Sequence, residues 1–234
     1  MKTKLLTGAL ATAACVMVAA SAGAVTVTIG ASEDGAPIAT LAGPSAPLPG
    51  ANFAGPVGTT FTVDDISSID DGIAPHVSFL TNDLNVEGAG GAGGHTLTIF
   101  ATEQGIPGQL AAWDSHFTEQ PLPLGWSVTQ STWLDPADGL FTTVDPLASH
   151  GFAPSLVTSS FDASTSLASG LGPFSVTEEI VITLDPGAVG SDQSTILLTG
   201  VPEPSTWAML GLGFAGLGLL GMTKLRRKES RYAV

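Results

Sequence analysis

Residues 174–184 read Phe-Ser-Val-Thr-Glu-Glu-Ile-Val-Ile-Thr-Leu, and this stretch decides the fold class. In an extended chain Ile180 and Ile182 fall on one face and Val181 falls on the other. β-Branched residues that alternate in this way are typical of a strand. Asp185-Pro186-Gly187 follows, and these residue types form tight turns. The stretch therefore predicts a long strand that ends in a turn.

Similar alternation recurs along the middle of the chain, separated by turns that contain Gly, Pro and Asp. We expect about eight to ten strands and little helix. They are predicted at residues 25–29, 59–63, 76–82, 95–100, 126–133, 140–144, 156–161, 174–184 and 195–199. The pattern favours an all-β fold, an antiparallel two-layer β-sandwich that is jelly-roll-like or immunoglobulin-like. No repeat of about 20 to 50 residues is evident, so we do not expect a solenoid or propeller.

Three segments between these strands have other patterns. Residues 64–72 read Asp-Asp-Ile-Ser-Ser-Ile-Asp-Asp-Gly and predict an acidic turn. Residues 88–94 are rich in glycine, and no lysine follows, so a flexible hairpin is favoured over a phosphate-binding loop. Residues 109–117 predict the single short helix, although a strand or a core loop is an alternative.

Lysine and arginine are confined to the two ends of the chain. All seven lie there, at Lys2, Lys4, Lys224, Arg226, Arg227, Lys228 and Arg231. Of the 21 acidic residues only Glu203 and Glu229 lie outside residues 25–200, which leaves the other 19 within that range. The middle of the chain therefore has no ordinary salt bridge, and it offers no basic surface to nucleic acid. We expect this charge to repel itself, and salt or divalent cations to stabilise the domain.

The N-terminal residues 1–24 have the three parts of a secretory signal peptide. Met1–Lys4 is positively charged, Leu5–Ala20 is apolar, and Ala22-Gly23-Ala24 supplies small residues for cleavage. We expect signal peptidase to cut after Ala24. The alternative is a lipoprotein in which Cys15 carries the lipid, but apolar residues continue beyond that cysteine. Since Cys15 is the only cysteine, cleavage leaves a mature chain without disulfides.

The C-terminal residues 201–231 combine three further signals. Val201-Pro202-Glu203-Pro204-Ser205-Thr206-Trp207 is followed by an uncharged stretch over 207–222 and then by a basic end. About sixteen residues of helix are roughly 24 Å long, which is just enough for a marginal transmembrane span. The basic end is expected to stay in the cytoplasm.

These three signals, in this order, resemble the PEP-CTERM sorting signal of exported bacterial proteins. The resemblance covers about the last 30 residues, and its sorting residues are Val201, Pro202, Glu203, Pro204, Arg226 and Arg227. It implies that an exosortase in the inner membrane acts near the Pro-Glu-Pro element and removes the span. The implied path is an anchored precursor and then release to the outer surface or the extracellular matrix. Residues 25–200 are the expected mature domain.

Carboxylates supply the best candidate metal site in this domain. Asp64, Asp65, Asp70 and Asp71 lie close together in sequence, and Gly72 follows them. Carboxylate and carbonyl oxygens are the ligands that Ca²⁺ prefers, so the segment predicts a possible calcium site. The spacing is not that of an EF-hand, and a solvated acidic turn is the alternative. We expect no other cofactor.

Histidines and tryptophans supply weaker candidates. His76, His95, His116 and His150 are widely spaced, and neither a His-Glu-x-x-His motif nor a Gly-x-Ser-x-Gly motif is present. Water-satisfied histidines are therefore favoured over a metal or catalytic site. Aromatic rings can stack on sugars, and the candidates are Trp113, Trp126 and Trp133. Burial in the core is their alternative role.

These observations favour a non-enzymatic protein of the cell surface or exopolysaccharide matrix, with a structural role or a binding role toward polysaccharide. The alternative from another class is an exported carbohydrate-active enzyme that uses an Asp/Glu pair. The alternating threonines of Val25-Thr26-Val27-Thr28 support a minor alternative, an ice-binding or other surface-adsorbing protein.

Overall fold

The computed structural model describes residues 25–44, 50–70, 77–202 and 212–215. Within these ranges the chain forms twelve strands. They are β1 (Thr26–Glu33), β2 (Ala39–Ala42), β3 (Gly50–Val57), β4 (Phe61–Asp70), β5 (Val77–Ala89), β6 (His95–Ile106), β7 (Leu110–Glu119), β8 (Trp126–Asp135), β9 (Asp145–Phe152), β10 (Ser159–Thr165), β11 (Phe174–Leu184) and β12 (Val189–Pro202). Residues 212–215 form one helical turn.

The strands form two six-stranded antiparallel sheets. Sheet 1 has the order β2-β1-β6-β11-β8-β9, and sheet 2 has the order β10-β7-β12-β5-β4-β3. Hairpins join β1 to β2, β3 to β4, β4 to β5 and β8 to β9 within one sheet. The other connections cross between the sheets, so most strand partners are distant in sequence. The predicted antiparallel all-β sandwich is confirmed.

Apolar side chains from both sheets meet in one core. Trp113 of sheet 2 packs edge-on against Phe174 of sheet 1, with ring centroids 5.8 Å apart. Full burial of one such side chain contributes about 1.5–3 kcal/mol. The largest fully buried side chains are Trp113, Trp126, Phe61, Phe79, Phe117, Phe174, Ile29, Ile66, Leu97, Ile99 and Leu110.

The strand predicted over 174–184 has the same bounds as β11 and lies inside sheet 1, between β6 and β8. Its alternate residues Ile180, Ile182 and Leu184 face the core, as expected. The predicted strands near residues 26, 97, 128 and 196 also lie within observed strands.

For residues 109–117 the helix is wrong and the strand alternative is confirmed, because residues 110–117 belong to β7. Trp113, Ser115, Phe117 and Glu119 all face inward from β7 and are buried. Ser115 pairs across the core with Thr132 of β8, and their hydroxyl oxygens are 2.8 Å apart. Two polar residues on the buried face hid the strand period in the sequence.

The strand predicted over 140–144 is also wrong. These residues lie in a loop over 136–144 that folds onto the outer face of sheet 1. The Asp135 carboxylate holds the loop by accepting the N–H groups of Ala137 (2.8 Å) and Gly139 (3.1 Å) and the Thr142 hydroxyl (2.8 Å). Phe141 has a φ of 54°, which a strand excludes.

The acidic turn predicted over 64–72 is wrong for residues 64–70, which continue β4. A register shift at Asp65 marks a bulge that lets Asp64 and Asp65 both point to solvent. Of the glycine-rich residues 88–94, the first two belong to β5 of sheet 2, and residues 90–94 connect it to β6 of sheet 1, so they cross between the layers and do not close a hairpin.

The predicted signal peptide at 1–24 lies outside the described residues, as does most of the predicted span at 207–222. β12 continues to Pro202, two residues beyond the predicted end of the domain. Val201 and Pro202 pair with Ala112 and Leu110 of β7. Within residues 25–44, 50–70, 77–202 and 212–215, no helix has the length and apolar character needed to cross a membrane.

Candidate functional site

The carboxylates of the predicted calcium site do not converge. Asp64 and Asp65 are exposed on β4, and Asp64 Oδ2 accepts a hydrogen bond from Asn85 at 3.2 Å. Asp70 lies at the other end of the strand and is 3% exposed. Five residues of strand span about 17 Å, so Asp65 and Asp70 cannot hold one ion together. Asp71 lies outside the described residues, and calcium binding stays a prediction.

Another acidic group, which the sequence did not reveal, lies where β1 ends. One oxygen or nitrogen from each of Glu33, Asp34 and His95 lies within 4.8 Å of the others. Asp34 accepts the backbone N–H of Thr96 at 2.8 Å and also contacts His95 Nδ1 at 2.9 Å. These two hydrogen bonds, the Thr96 bond first, lower the pKa of Asp34. The carboxylates here serve as caps for neighbouring backbone.

The described histidines have separate sets of partners. His95 contacts Asp34, while His150 stacks on Phe161 with ring centroids 4.1 Å apart. His116 lies on the outer face of sheet 2 beside Asp162. His76 lies outside the described residues.

Two of the three tryptophans proposed as sugar platforms are core residues. Trp113 and Trp126 are each 1% exposed. Trp133 is half-buried on the outer face of sheet 1, and its Nε1–H donates to Glu179 Oε2 at 3.0 Å. The threonine row of β1 is not an exposed array either, because Thr28 is 8% exposed.

Polar side chains gather in a groove on the outer face of sheet 2. We call this the sheet 2 groove. Its cavity is about 260 Å³, and its lining includes Asp114, His116, Asp162, Ser164, Leu197 and Thr199. Neighbouring antiparallel strands place alternate residues on one face, so β7, β10 and β12 each contribute two of them.

Hydrogen bonds order the polar side chains of the sheet 2 groove. Ser164 donates to Asp114 Oδ1 at 2.6 Å. His116 Nδ1 contacts Asp162 Oδ1, and His116 Nε2 lies 3.1 Å from the hydroxyl of Thr118. The hydroxyl of Thr118, the imidazole of His116 and the carboxylate of Asp162 contact one another in the same order as the catalytic groups of serine hydrolases. Each contact joins residues that sequence spacing alone could not bring together, except the His116–Thr118 pair on one strand.

The groove lacks the other requirements of acyl transfer. Thr118 lies within a strand that pairs with Ser160 on one side and Thr195 on the other. The backbone N–H groups around it therefore belong to sheet ladders and cannot form an oxyanion hole. A catalytic serine usually sits on a sharp turn that exposes it, and Thr118 does not. The groove offers carboxylates and hydroxyls that suit a ligand rich in hydroxyl groups.

A larger cleft of about 440 Å³ lies on the same sheet, toward the loops that follow β5 and precede β12. Its lining includes a single carboxylate, Glu87, with Thr60, Thr62, Gly88, Ala89, Gly190 and Ser191. Glu87 is thus the one carboxylate in its lining, whereas the sheet 2 groove has two, Asp114 and Asp162.

Carboxyl groups also lie between the two sheets. Glu178 on β11 is 1% exposed and faces Thr81 of β5 and the backbone of Leu198 on β12. Burial raises the pKa of Glu178 well above its ordinary value, in spite of these hydrogen-bonding neighbours. The sequence contained a signal for this position, since Glu178 shares the parity of Ile180 and Ile182. The raised pKa favours the protonated carboxyl of Glu178 in the folded state.

No protein-family model and no curated protein matches the sequence. Among solved structures, the chain is similar to the enzymatically active domain of tailspike protein 4 of bacteriophage CBA120, with a TM-score of 0.34 and 10% identity over 61% of this chain and 19% of that one. It is also similar to a chain of infectious bursal disease virus strain Gx, with a TM-score of 0.34 and 13% identity over 87% of this chain and 55% of that one. An adhesin domain of Epf from Streptococcus pyogenes gives a TM-score of 0.19 and 11% identity over 68% and 54% of the two chains. The chain spans less than two thirds of each, and likenesses at these TM-scores carry no functional argument.

Proposed function

We propose that this chain is an exported protein of the cell surface or exopolysaccharide matrix, with a structural or binding role and no catalytic one. Its path follows the PEP-CTERM resemblance, through signal peptidase and then an exosortase in the inner membrane. The observation that carries the proposal is the separation of charge. All seven Lys and Arg residues lie in the two terminal signals, while 19 acidic residues lie between residues 25 and 200. The positive-inside rule then favours both ends facing the cytoplasm before the acidic domain crosses.

The sheet 2 groove supports a binding role toward polysaccharide. Asp114 and Asp162 present carboxylate oxygens, and Ser164 presents a hydroxyl, on an open face. Sugar hydroxyl groups donate to carboxylates and accept from hydroxyls, so a neutral polysaccharide fits this chemistry. An anionic polysaccharide would need a bridging cation, because the described domain supplies no Lys or Arg.

A carbohydrate-active enzyme remains the second candidate because of one observation. Asp162 lies opposite His116 and Ser164 lies opposite Asp114, so Asp114 and Asp162 are diagonal neighbours. Diagonal neighbours are about 7–8 Å apart, which falls in the range of inverting glycosidases, at about 6.5–9.5 Å. Both carboxylates already bond to a neighbour, however, and a proton transfer to a sugar would have to break these contacts.

Incubation of the released protein with the polysaccharide of the producing bacterium tests the role. We expect binding in a co-sedimentation assay, with no new reducing ends. Asp162→Asn should weaken binding about tenfold, and Glu87→Gln in the larger cleft should leave it unchanged. New reducing ends that disappear in Asp162→Asn would establish the enzyme and overturn the binding role.

Mass spectrometry of the released protein tests the sorting path. We expect a chain that begins at Val25 and ends near the Pro-Glu-Pro element, without Arg226 and Arg227. A released chain that still carries its arginines would contradict processing by an exosortase. The full-length chain in the soluble cytoplasmic fraction would contradict export.

A further inference from the structure

A cluster of oxygen-bearing side chains lies buried where β7 ends and β8 and β12 pass beside it. We call it the buried oxygen cluster, and it consists of Glu119, Gln130, Asp192 and Ser194. Their exposed fractions are 2%, 0%, 3% and 0%. Glu119, Asp192 and Ser194 belong to sheet 2, and Gln130 belongs to sheet 1. The cluster therefore joins the two layers.

Hydrogen bonds hold these four side chains together. Ser194 Oγ lies 2.7 Å from Glu119 Oε2 and 3.0 Å from Asp192 Oδ2. Gln130 Nε2 donates to Glu119 Oε2 at 3.0 Å and to the carbonyl of Thr118 at 3.1 Å. Two acidic side chains thus share one hydroxyl neighbour, and a neutral amide is fixed against them.

Several oxygen atoms of the cluster have no hydrogen-bond partner. They are Glu119 Oε1, Gln130 Oε1 and Asp192 Oδ1. A buried polar atom is normally paired. The Glu119 and Asp192 carboxyls can share one proton, and a cation in the place of that proton would contact the oxygens of both and Gln130 Oε1 as well. No Lys or Arg occurs between residues 25 and 200 to fill that place. The described histidines contact Asp34, Asp162 and Phe161.

We propose that the buried oxygen cluster binds one divalent cation, Ca²⁺. Glu119 and Asp192 supply two negative charges, which balance a single divalent ion. Gln130 Oε1 and Ser194 Oγ add neutral oxygen ligands, and a donor set made only of oxygen selects hard cations. Coordination by Glu119, Gln130 and Asp192 would link β7, β8 and β12 across both sheets.

The site differs from the other acidic groups of the domain. The Glu33 and Asp34 carboxylates already accept backbone N–H groups from Thr59, Thr60 and Thr96. Asp64 and Asp65 are solvated on the outside of β4. In the buried oxygen cluster, by contrast, the carboxyl groups of Glu119 and Asp192 lie inside the protein, and one oxygen of each has no N–H or hydroxyl donor. A cation bound here would contact oxygen atoms that otherwise lack a donor.

Protons compete with Ca²⁺ for the carboxyl groups of the buried oxygen cluster. Without a cation, burial together with the neighbouring Asp192 raises the pKa of Glu119 to about 10. Metal ions bind deprotonated carboxylates, so calcium binding at this site releases protons and strengthens as the pH rises. Calcium and protons can therefore be told apart by measurement at two pH values.

The test uses the full-length chain in detergent, treated with EDTA and then dialysed against Ca²⁺ at pH 8. We expect about one tightly held Ca²⁺ per chain by equilibrium dialysis. Saturating Ca²⁺ should raise the melting temperature by roughly 5 °C or more. The double variant Glu119→Gln/Asp192→Asn should lose both effects, and the control Asp64→Asn/Asp65→Asn should keep them. Binding to the wild type should weaken at least tenfold at pH 5.

Two results would overturn the proposal. One is a wild-type chain that holds no Ca²⁺ at pH 8 and melts at the same temperature with calcium and with EDTA. This result does not depend on whether any variant folds. The other is a calcium effect that survives in the Glu119→Gln/Asp192→Asn variant and disappears in the Asp64→Asn/Asp65→Asn variant, since it would place the ion on the surface of β4.

Discussion

The ring of Phe141 lies so close over Gly30 that a β-carbon on Gly30 would come within 2.5 Å of Phe141 Cζ. Phe141 also contacts Phe100, with ring centroids 6.0 Å apart. Through this contact the 136–144 loop covers part of sheet 1. Glycine is required at position 30 for packing, and its φ is not among the positive ones.

Gly30→Ala should therefore destabilise the domain by about 1–3 kcal/mol through overpacking. Chemical denaturation measures the loss. Gly43→Ala is the matched control, because nothing lies within 4 Å of a β-carbon at that position. In a Phe141→Ala background the cost of Gly30→Ala should shrink, although Ile38 also lies 2.9 Å from the added atom. Equal costs in both backgrounds would show that the ring is not the obstacle.

Gly58 should tolerate no side chain. Its φ is 65°, and an added β-carbon would fall 1.3 Å from Glu33 Oε2. Glu33 accepts the N–H groups of Thr59 (2.6 Å) and Thr60 (3.1 Å), so the collision would displace a turn cap. We expect Gly58→Ala to cost about 2–4 kcal/mol in denaturant unfolding.

Gly35→Ala separates backbone strain from this collision. Gly35 has a φ of 72°, and nothing lies within 4 Å of its added β-carbon. Strain alone costs about 1–2 kcal/mol. If Gly58→Ala cost no more than Gly35→Ala, the Glu33 cap would be unimportant.

The free energy of unfolding should fall as the pH rises above the ordinary pKa of a glutamic acid. Burial raises the pKa of Glu178, so the unfolded chain loses this proton at a lower pH than the folded chain does. Between those two values the unfolded state binds fewer protons, and each such group removes up to about 1.4 kcal/mol per pH unit. Urea unfolding at pH 5 and pH 8 measures the slope.

Glu178→Gln assigns that slope to one residue. Glutamine resembles the protonated acid in shape and does not ionise. The variant should be less sensitive to pH than the wild type, and more stable than it at pH 8. Burial also raises the pKa of Glu179, so Glu179→Gln is a useful comparison at a half-buried position. A wild type equally stable at both pH values would contradict protonation of the buried carboxyls.

Asp135 should give the opposite pH dependence, because it stabilises the folded state more as the pH rises. Burial opposes its charge, but hydrogen bonds from Ala137, Thr142 and Gly139 outweigh that effect and lower the pKa of Asp135. The stabilisation that ionised Asp135 provides is fully present above the ordinary pKa of an aspartic acid. It is lost as the pH falls through the lowered pKa of Asp135 in the folded state. Asp135→Ala should cost about 1–3 kcal/mol at pH 7 and much less at pH 2.

Hydrogen exchange locates the effect of Asp135→Ala. The N–H groups of Ala137 and Gly139 should lose protection, while those of β11 should keep it. Asp145→Ala, at the start of β9, is a control that leaves the cap in place. Uniform loss of protection across sheet 1 would show that Asp135 supports the whole sheet.

The sequence predicted the sandwich because its strands alternate, and the missed elements each have a physical cause. Ser115 and Glu119 face inward from β7, so this strand lacks an apolar period. A positive φ at Phe141 turned an apolar run into a loop. His116 and Asp162, 46 positions apart, meet only because β10 pairs with β7. A site assembled from strands distant in sequence is set by pairing, which composition and spacing do not specify.

The crossings between sheets bear on when this chain can fold. In sheet 1, β11 lies between β6 and β8, and in sheet 2, β12 lies between β7 and β5. Neither sheet is therefore complete until these late strands have been synthesised. Topologies dominated by such remote pairings fold in milliseconds to seconds, far more slowly than helical ones. If the chain follows the export path proposed above, slow folding would help it, because a translocation channel accepts an unfolded chain more readily than a folded domain.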